Sequence, residues 1–458
     1  MLLNFEVENY KSFQKNAVFT MEPAPKQHGL DYSILKEKIK SKNVNALCSS
    51  VIYGPNASGK TNIIGAMDTL RAIVLRGKII NAESQETPNK AAYNLELIPN
   101  NLCKEVHPVV FKIEFVENNM KFNYELSVML GLFLDDSYSR SVKHECLKIN
   151  DELVFCRDKE VELGDFKQIK EYVTSQITSD RSIVKELINQ SLAADELFIT
   201  NGFKLMISQS ISKIITDWFT EKFMVIYRAD AMHMIRRFSD PQKKTMYVEK
   251  TISDAAKIFG INSNTLAYIP TGKDGEVRLC SIIRDLKKTD QKNTDQKEDE
   301  SKNQLIAVLA DVFESFGTIR FINLFPLVIR AITTGGTLVV DEFDASIHPM
   351  ALMSIINIFH NDDINKKRAQ LIFNTHNPIF LNSNIFRRDE IKFVEKDDET
   401  LLSKIYALSS FGTAGPNGVR KGDDYMKNYF LSQYGAIKTI DFSPIFETIM
   451  NKANDNDE

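Results

Sequence analysis

Residues 45–74 read NALCSSVIYGPNASGKTNIIGAMDTLRAIV, and two kinds of local structure meet inside them. Val51, Ile52 and Tyr53 close an apolar, β-branched run suited to a buried strand, while Ile63, Ile64, Met67 and Leu70 recur at helical spacing. The residues between, Gly54, Pro55, Asn56, Ala57, Ser58, Gly59, Lys60, Thr61 and Asn62, spell a glycine-bounded loop with Lys-Thr at the helix start. Strand, glycine loop, Lys-Thr and helix together are the context of a phosphate-binding P-loop. Gly54 and Gly59 admit backbone geometry closed to other residues, so successive N–H groups can turn toward phosphate oxygens. The helix N-terminus adds partial positive charge to the same anion. Lys60 is placed to reach the β- and γ-phosphates and the Thr61 hydroxyl to ligate magnesium, so ATP and Mg2+ are the expected cofactors.

Working outward, the 458 residues exceed what one compact core usually holds, and two or three lobes are expected. Hydrophobic residues at 43% and charged residues at 26% are ordinary for a globular protein. A net charge of −4 gives no global reason to expect nucleic acid, and any such surface must be a local patch. The five cysteines, Cys48, Cys103, Cys146, Cys156 and Cys280, share no CxxC spacing and read as reduced core thiols, which points to the cytoplasm. The N-terminus carries charge early, unlike a signal peptide, and no apolar run reaches membrane-spanning length; no membrane partner is expected.

The fold class expected is α/β: a P-loop ATPase head with a strand-rich N-terminal lobe and a helical insertion. Residues 1–160 form the N-terminal ATPase lobe, where VVFKIEFVENN and KFNYELSVML make a hairpin turning near Asn118–Asn119 and the P-loop unit is embedded in the sheet. The polar stretch Gly77 to Ala92 reads as a mobile loop. Residues 161–303 read as a helical insertion that ends in the charged stretch 287–303, which has no large apolar residue. Within it His233, Arg236 and Arg237 form a basic cluster, read as an exposed helix face. Residues 304–458 form the C-terminal ATPase lobe. There a turn around Gly317 precedes an apolar helix ending at Gly335–Gly336, and EIKFVEKDD and SKIYALSSF add edge strands.

The C-terminal lobe also carries chemistry. The apolar run Leu338 to Val340 ends in Asp341 and Glu342, a Walker B arrangement in which the first acid holds magnesium and the second polarises an attacking water. His376, in FNTHN, ends the next expected strand and suits a switch histidine at the γ-phosphate. The acids Asp397, Asp398 and Glu399 lie in one turn and read as a solvated loop.

The order of these motifs resembles the ABC-type ATPases of the SMC/Rad50 lineage, and within it the AAA15 group of bacterial anti-phage ATPases. That group includes RloA/AbiLi-like proteins, the ATPase subunit of the PARIS system and the OLD-like ATPase domain. The resemblance rests on GPNASGKTN at 54–62, ESFGT at 314–318, LVVDEFDASIHP at 338–349, NTHNP at 374–378, RRDEIKFVEK at 387–396 and YFLSQYGAI at 429–437. It implies that Ser315, Gly317 and Thr318 are the signature motif, donating to a γ-phosphate held by a second subunit. It implies further that Asp344 and Ser346 form the D-loop crossing the dimer seam. ESFGT departs from the pattern of transporters in lacking their paired glycines, and no glutamine is assigned to a Q-loop, Gln85 lying in the polar stretch after the P-loop helix.

On this resemblance the chain is a homodimer or higher homo-oligomer joined through its ATP sites. It would control a separate effector, a Toprim-like or other nuclease or a toxin, with a phage protein as a possible trigger. The alternative is a Rad50-like DNA-clamping repair ATPase, which would require a basic surface inside the dimer; no long heptad repeat supports its long-armed version.

Overall fold

The computed structural model describes residues 1–25, 27–79, 95–135, 137–174, 181–227, 246–248, 250–258, 265–270, 277–284, 305–414, 418–438 and 440–454. The fold is α/β, built on two large sheets with the P-loop helix Lys60–Arg76 between them. One sheet is a seven-stranded antiparallel meander in the order Val161–Leu163, Glu152–Arg157, Ser141–Ile149, Met120–Met129, Val109–Glu117, Leu2–Glu8, Ala17–Thr20. Its hairpin turns where expected, with Asn118 and Asn119 both left-handed (φ 49° and 58°), as a two-residue turn between twisted strands requires.

The second sheet has six strands in the order Phe223–Ile226, Thr337–Val340, Gln370–Asn374, Ser49–Tyr53, Ile391–Lys396, Ser403–Ala407. All pairings are parallel except the last. Parallel strands covered on both faces read as near-continuous apolar runs, and alternate residues serve opposite cores. Ile52, Val339 and Ile372 join Phe5, Val7 and the helix residues Ile63, Ile64 and Met67 in one core. Val51, Leu338, Val340 and Phe373 face the other way, into a core with the helices Phe316–Thr334 and Pro349–Phe359.

Four expectations need correction. The P-loop strand Ser49–Tyr53 is not embedded in the N-terminal meander; its neighbours are Gln370–Asn374 and Ile391–Lys396, far away in sequence. Ile391–Lys396 is therefore interior, and of the two strands expected at the edge Ser403–Ala407 alone lies there. The middle segment is also not purely helical. Beside the helices Arg181–Ser191, Gln209–Asp217 and Lys250–Ile258 it supplies Phe223–Ile226 to the parallel sheet. It also supplies Met246–Tyr247, Thr265–Pro270 and Val277–Arg284 to a four-stranded antiparallel sheet completed by Leu305–Leu309. Short apolar runs fit helix and strand equally well, and here strand pairing decided. Finally, the helix Phe316–Thr334 is long and apolar enough, by length and composition, to cross a membrane. One of its faces packs Leu324, Val328 and Ala331 into the core on the parallel sheet.

The two large sheets are tied by Gln370, a fully buried amide. Its Oε1 accepts from Leu2 N (2.6 Å) and Thr337 Oγ1 (2.9 Å), and its Nε2 donates to the carbonyls of Leu2 (3.0 Å) and Leu47 (2.9 Å). Gln370→Leu keeps the volume but strands these four groups away from water, at about 1–3 kcal/mol each and not additively. A loss of about 3–6 kcal/mol in unfolding free energy is expected from urea titration; a loss under about 1 kcal/mol would show that the amide is not what joins the sheets.

Candidate nucleotide site

The carboxyl ends of three adjacent parallel strands build the site. Tyr53 leads into the glycine loop, Val340 into Asp341 and Asn374 into Thr375, the edge at which open parallel sheets bind ligands. In the loop, Gly54 has φ +156° and a Cβ there would stand 2.1 Å from the Val394 carbonyl oxygen, so no side chain fits. Gly59 caps the helix at φ +109°, with Ser12 Oγ and Ser403 Oγ each 2.8 Å from where its Cβ would be. Those two serines brace the loop: Ser403 Oγ donates to Ser58 O (2.6 Å), Asn62 Nδ2 donates to Ser12 Oγ (2.8 Å), and Ser403 N donates to Ser12 O (2.9 Å). Asn56 and Ala57 are exposed at the tip, and Ala57 is left-handed at φ 61°.

Lys60 curls back into the loop, donating to Gly54 O (2.7 Å) and Pro55 O (2.9 Å). Burial pulls its ammonium down to about 8, against the opposing charges of Asp341, Glu342 and Asp344. The Ser58 hydroxyl is buried in the same loop without a partner. A buried ammonium resting on carbonyls and an orphaned hydroxyl beside a helix N-terminus fit an anionic phosphate chain.

Asp341 is buried at the end of its strand, and its Oδ1 accepts from Thr61 Oγ1 (3.1 Å) and Asn374 Nδ2 (2.5 Å). Asn374 Oδ1 in turn accepts from the Glu342 amide. This fixes Glu342 in a left-handed turn (φ 50°) with its side chain exposed. Arg320 donates to the Glu342 carbonyl from the helix Phe316–Thr334. His376 is exposed nearby, and desolvation together with the Lys60 charge holds its imidazole below its ordinary value, opposed by Asp344, Glu342 and Asp341. The loop, Thr61, Asp341, Glu342, Asp344 and His376 thus share one neighbourhood, whose electrostatics couple them to Lys60.

Ser315, Gly317 and Thr318 are arranged differently. Ser315 caps its helix, its Oγ accepting from Thr318 N (3.1 Å) and standing 2.9 Å from Thr318 Oγ1, so the hydroxyl is satisfied within its own turn. Gly317 packs against the loop after the carboxylates: a Cβ there would meet Ser346 O at 2.3 Å. Around this turn Val312, Phe313 and Phe316 are exposed.

Asn374, Ser12, Ser403 and Arg320 were missed in the sequence. Only Asn374 carried a signal, as an amide ending a buried strand directly before Thr375 and His376. Asp397 accepts from the Thr400 amide (2.7 Å) and hydroxyl (2.8 Å) in an exposed turn, as a solvated loop should. Gln85, His233, Arg236, Arg237, residues 287–303 and most of the polar stretch after the P-loop helix lie outside the described residues.

A braced glycine loop, an inward lysine and a threonine–aspartate pair at the carboxyl edge of a parallel sheet define a P-loop protein of the ATPase type. Residues 49–194 and 226–382 match the profile of the family described as "AAA domain, putative AbiEii toxin, Type IV TA system", and the chain belongs to that family. No curated protein matches it. Among solved structures it is similar to the SMC head domain from Thermotoga maritima, at 13% identity and a TM-score of 0.32, over 89% of this chain and 98% of that one.

Proposed function

We propose that the chain binds and hydrolyses Mg-ATP as an ABC-type head, and that its sites are completed between two copies. The observation carrying this reading is the cluster in which Thr61 and Asn374 converge on one oxygen of buried Asp341, beside Lys60. Lys60 would exchange its loop carbonyls for β- and γ-phosphate oxygens, and Thr61 and Asp341 would hold magnesium. Magnesium supplies neutralisation of the phosphate charge that develops during transfer. Glu342, exposed and set in place by Asn374 and Arg320, would take the proton of the attacking water. Gly54, Asn56, Ala57, Ser58, Gly59 and Asn62 supply or position loop amides. His376 would meet the γ-phosphate side as a neutral imidazole, consistent with its lowered affinity for protons.

Ser315, exposed at the start of its helix, would serve the site of a second copy together with Gly317 and Thr318, with Asp344 and Ser346 at the seam. ATP would then join protomers and its hydrolysis part them. The setting we assign is cytoplasmic defence against phage, with a phage protein as trigger and a separate nuclease or toxin as the controlled effector; the motif resemblance and the toxin–antitoxin wording of the family description support it. The test is ATP turnover and ATP-dependent self-association of the purified chain. If neither appears, the reading fails.

A titration follows from Lys60. Phosphates favour its charged form, so ATP binding should take up a proton wherever the free side chain, at about 8, has lost one. Affinity is therefore expected to fall as pH rises, by roughly tenfold between pH 7 and 9. Calorimetry in buffers of different ionisation heat checks the sign: proton release on binding would contradict it.

A further inference from the structure

A second cluster lies away from the nucleotide, on the outward face of the antiparallel sheet. Strands Ser141–Ile149 and Glu152–Arg157 pair with Cys146 opposite Cys156. Alternate residues of a strand share a face, so His144 and Cys146 from one strand and Cys156 and Asp158 beyond the other make a four-cornered patch. A ring nitrogen of His144 and the two sulfurs all lie within 4.8 Å of one another, and Nε2 stands 3.9 Å from Cys156 Sγ. Tetrahedral zinc with one imidazole and one thiolate sets nitrogen and sulfur roughly 3.6 Å apart, so only a small inward adjustment is needed.

A second observation points the same way. His144 Nδ1 stands 2.8 Å from Asp158 Oδ1, which turns Nε2 toward the sulfurs. A carboxylate behind a histidine is the usual outer support of a metal-binding imidazole. A further mixed cluster among the described residues, Cys48, His360 and Glu390, lacks this openness. It is buried, Ser49 Oγ already stands 2.8 Å from His360 Nε2 and donates to Glu390 Oε1 (2.7 Å), and Arg387 N donates to Glu390 Oε2 (2.7 Å). There hydrogen bonds occupy the space a metal would take. Cys146 is buried, whereas His144 and Cys156 are half-exposed, so a fourth position faces solvent.

We propose that His144, Cys146 and Cys156 bind a soft divalent metal of the zinc class, with Asp158 as positioning residue and water at the fourth position. Each thiol gives up its proton to solvent as its sulfur takes the metal, with no change of oxidation state. The site would clip two neighbouring strands of the sheet and does not depend on the nucleotide reading.

The test uses the full chain, reduced, stripped with chelator and titrated with Co2+ under argon. One equivalent per chain, with thiolate-to-cobalt charge-transfer absorption displaced by Zn2+, is the expected result. Cys146→Ser and Cys156→Ser should each abolish the band, while Cys48→Ser and Cys103→Ser retain it. Asp158→Asn, at an exposed carboxylate whose loss leaves the core intact, should weaken binding about 10–100-fold with an unchanged circular dichroism spectrum. The proposal is overturned if reduced protein gives no band, if the band survives Cys146→Ser, or if it is lost in Cys48→Ser alone. It is equally overturned if Cys146 and Cys156 are isolated as a disulfide whose reduction yields no cobalt uptake.

Discussion

Lys60→Ala is expected to lower ATP affinity by roughly two to four orders of magnitude. The ammonium is buried and donates to two loop carbonyls, both within 2.9 Å, so it already stands where phosphate oxygens would arrive. Hydrogen bonds from a charged donor contribute about 1.5–3 kcal/mol each, more reliably where water is excluded. Two such bonds give about 3–6 kcal/mol, and each 1.4 kcal/mol is tenfold in affinity. Fold stability should change little by comparison, because removing the ammonium also removes the cost of burying it. Fluorescent-nucleotide titration reads the effect directly. Undiminished binding would place the nucleotide elsewhere.

Glu342→Gln separates binding from turnover. The amide replaces the carboxylate with nearly the same shape, and the contacts that set the turn, to Asn374 and Arg320, run through the Glu342 backbone. Nucleotide affinity should stay within a few-fold, whereas turnover should fall by about 10²–10⁴, the usual contribution of a positioned general base. Protein held with ATP should then accumulate as the joined assembly on size-exclusion chromatography. Ordinary turnover in this variant would remove Glu342 from the base role and turn attention to His376.

What was legible depended on the distance over which each signal acts. The loop from Gly54 to Asn62 is local, and its strand and helix flanks are written in adjacent residues, so its form could be read directly. Asp341 was readable because an apolar strand ends in an acid. That Asn374 is its partner was not, despite the amide at a strand end, since nothing in local periodicity says that Gln370–Asn374 lies between the other two strands. The same limit hid Ser12 and Ser403, which reach the loop from the two ends of the chain. In the middle segment, apolar residues of VRLCSIIR matched helical spacing about as well as alternation, and pairing with Thr265–Pro270 made them a strand. Cys146 and Cys156 looked unrelated because hairpin register, not spacing, brings them face to face.

Arg320 links two regions with different proposed duties. It sits one turn into the helix capped by Ser315, and its guanidinium grips the carbonyl of Glu342. In the proposed two-fold pair, the helix end that would serve a neighbour's phosphate would thereby be levered by the turn that would activate water at home. Neither centre of such a pair could then reset without tugging on the other, so its turnover should be concerted rather than independent, with mixed assemblies carrying one impaired copy slower than half-rate.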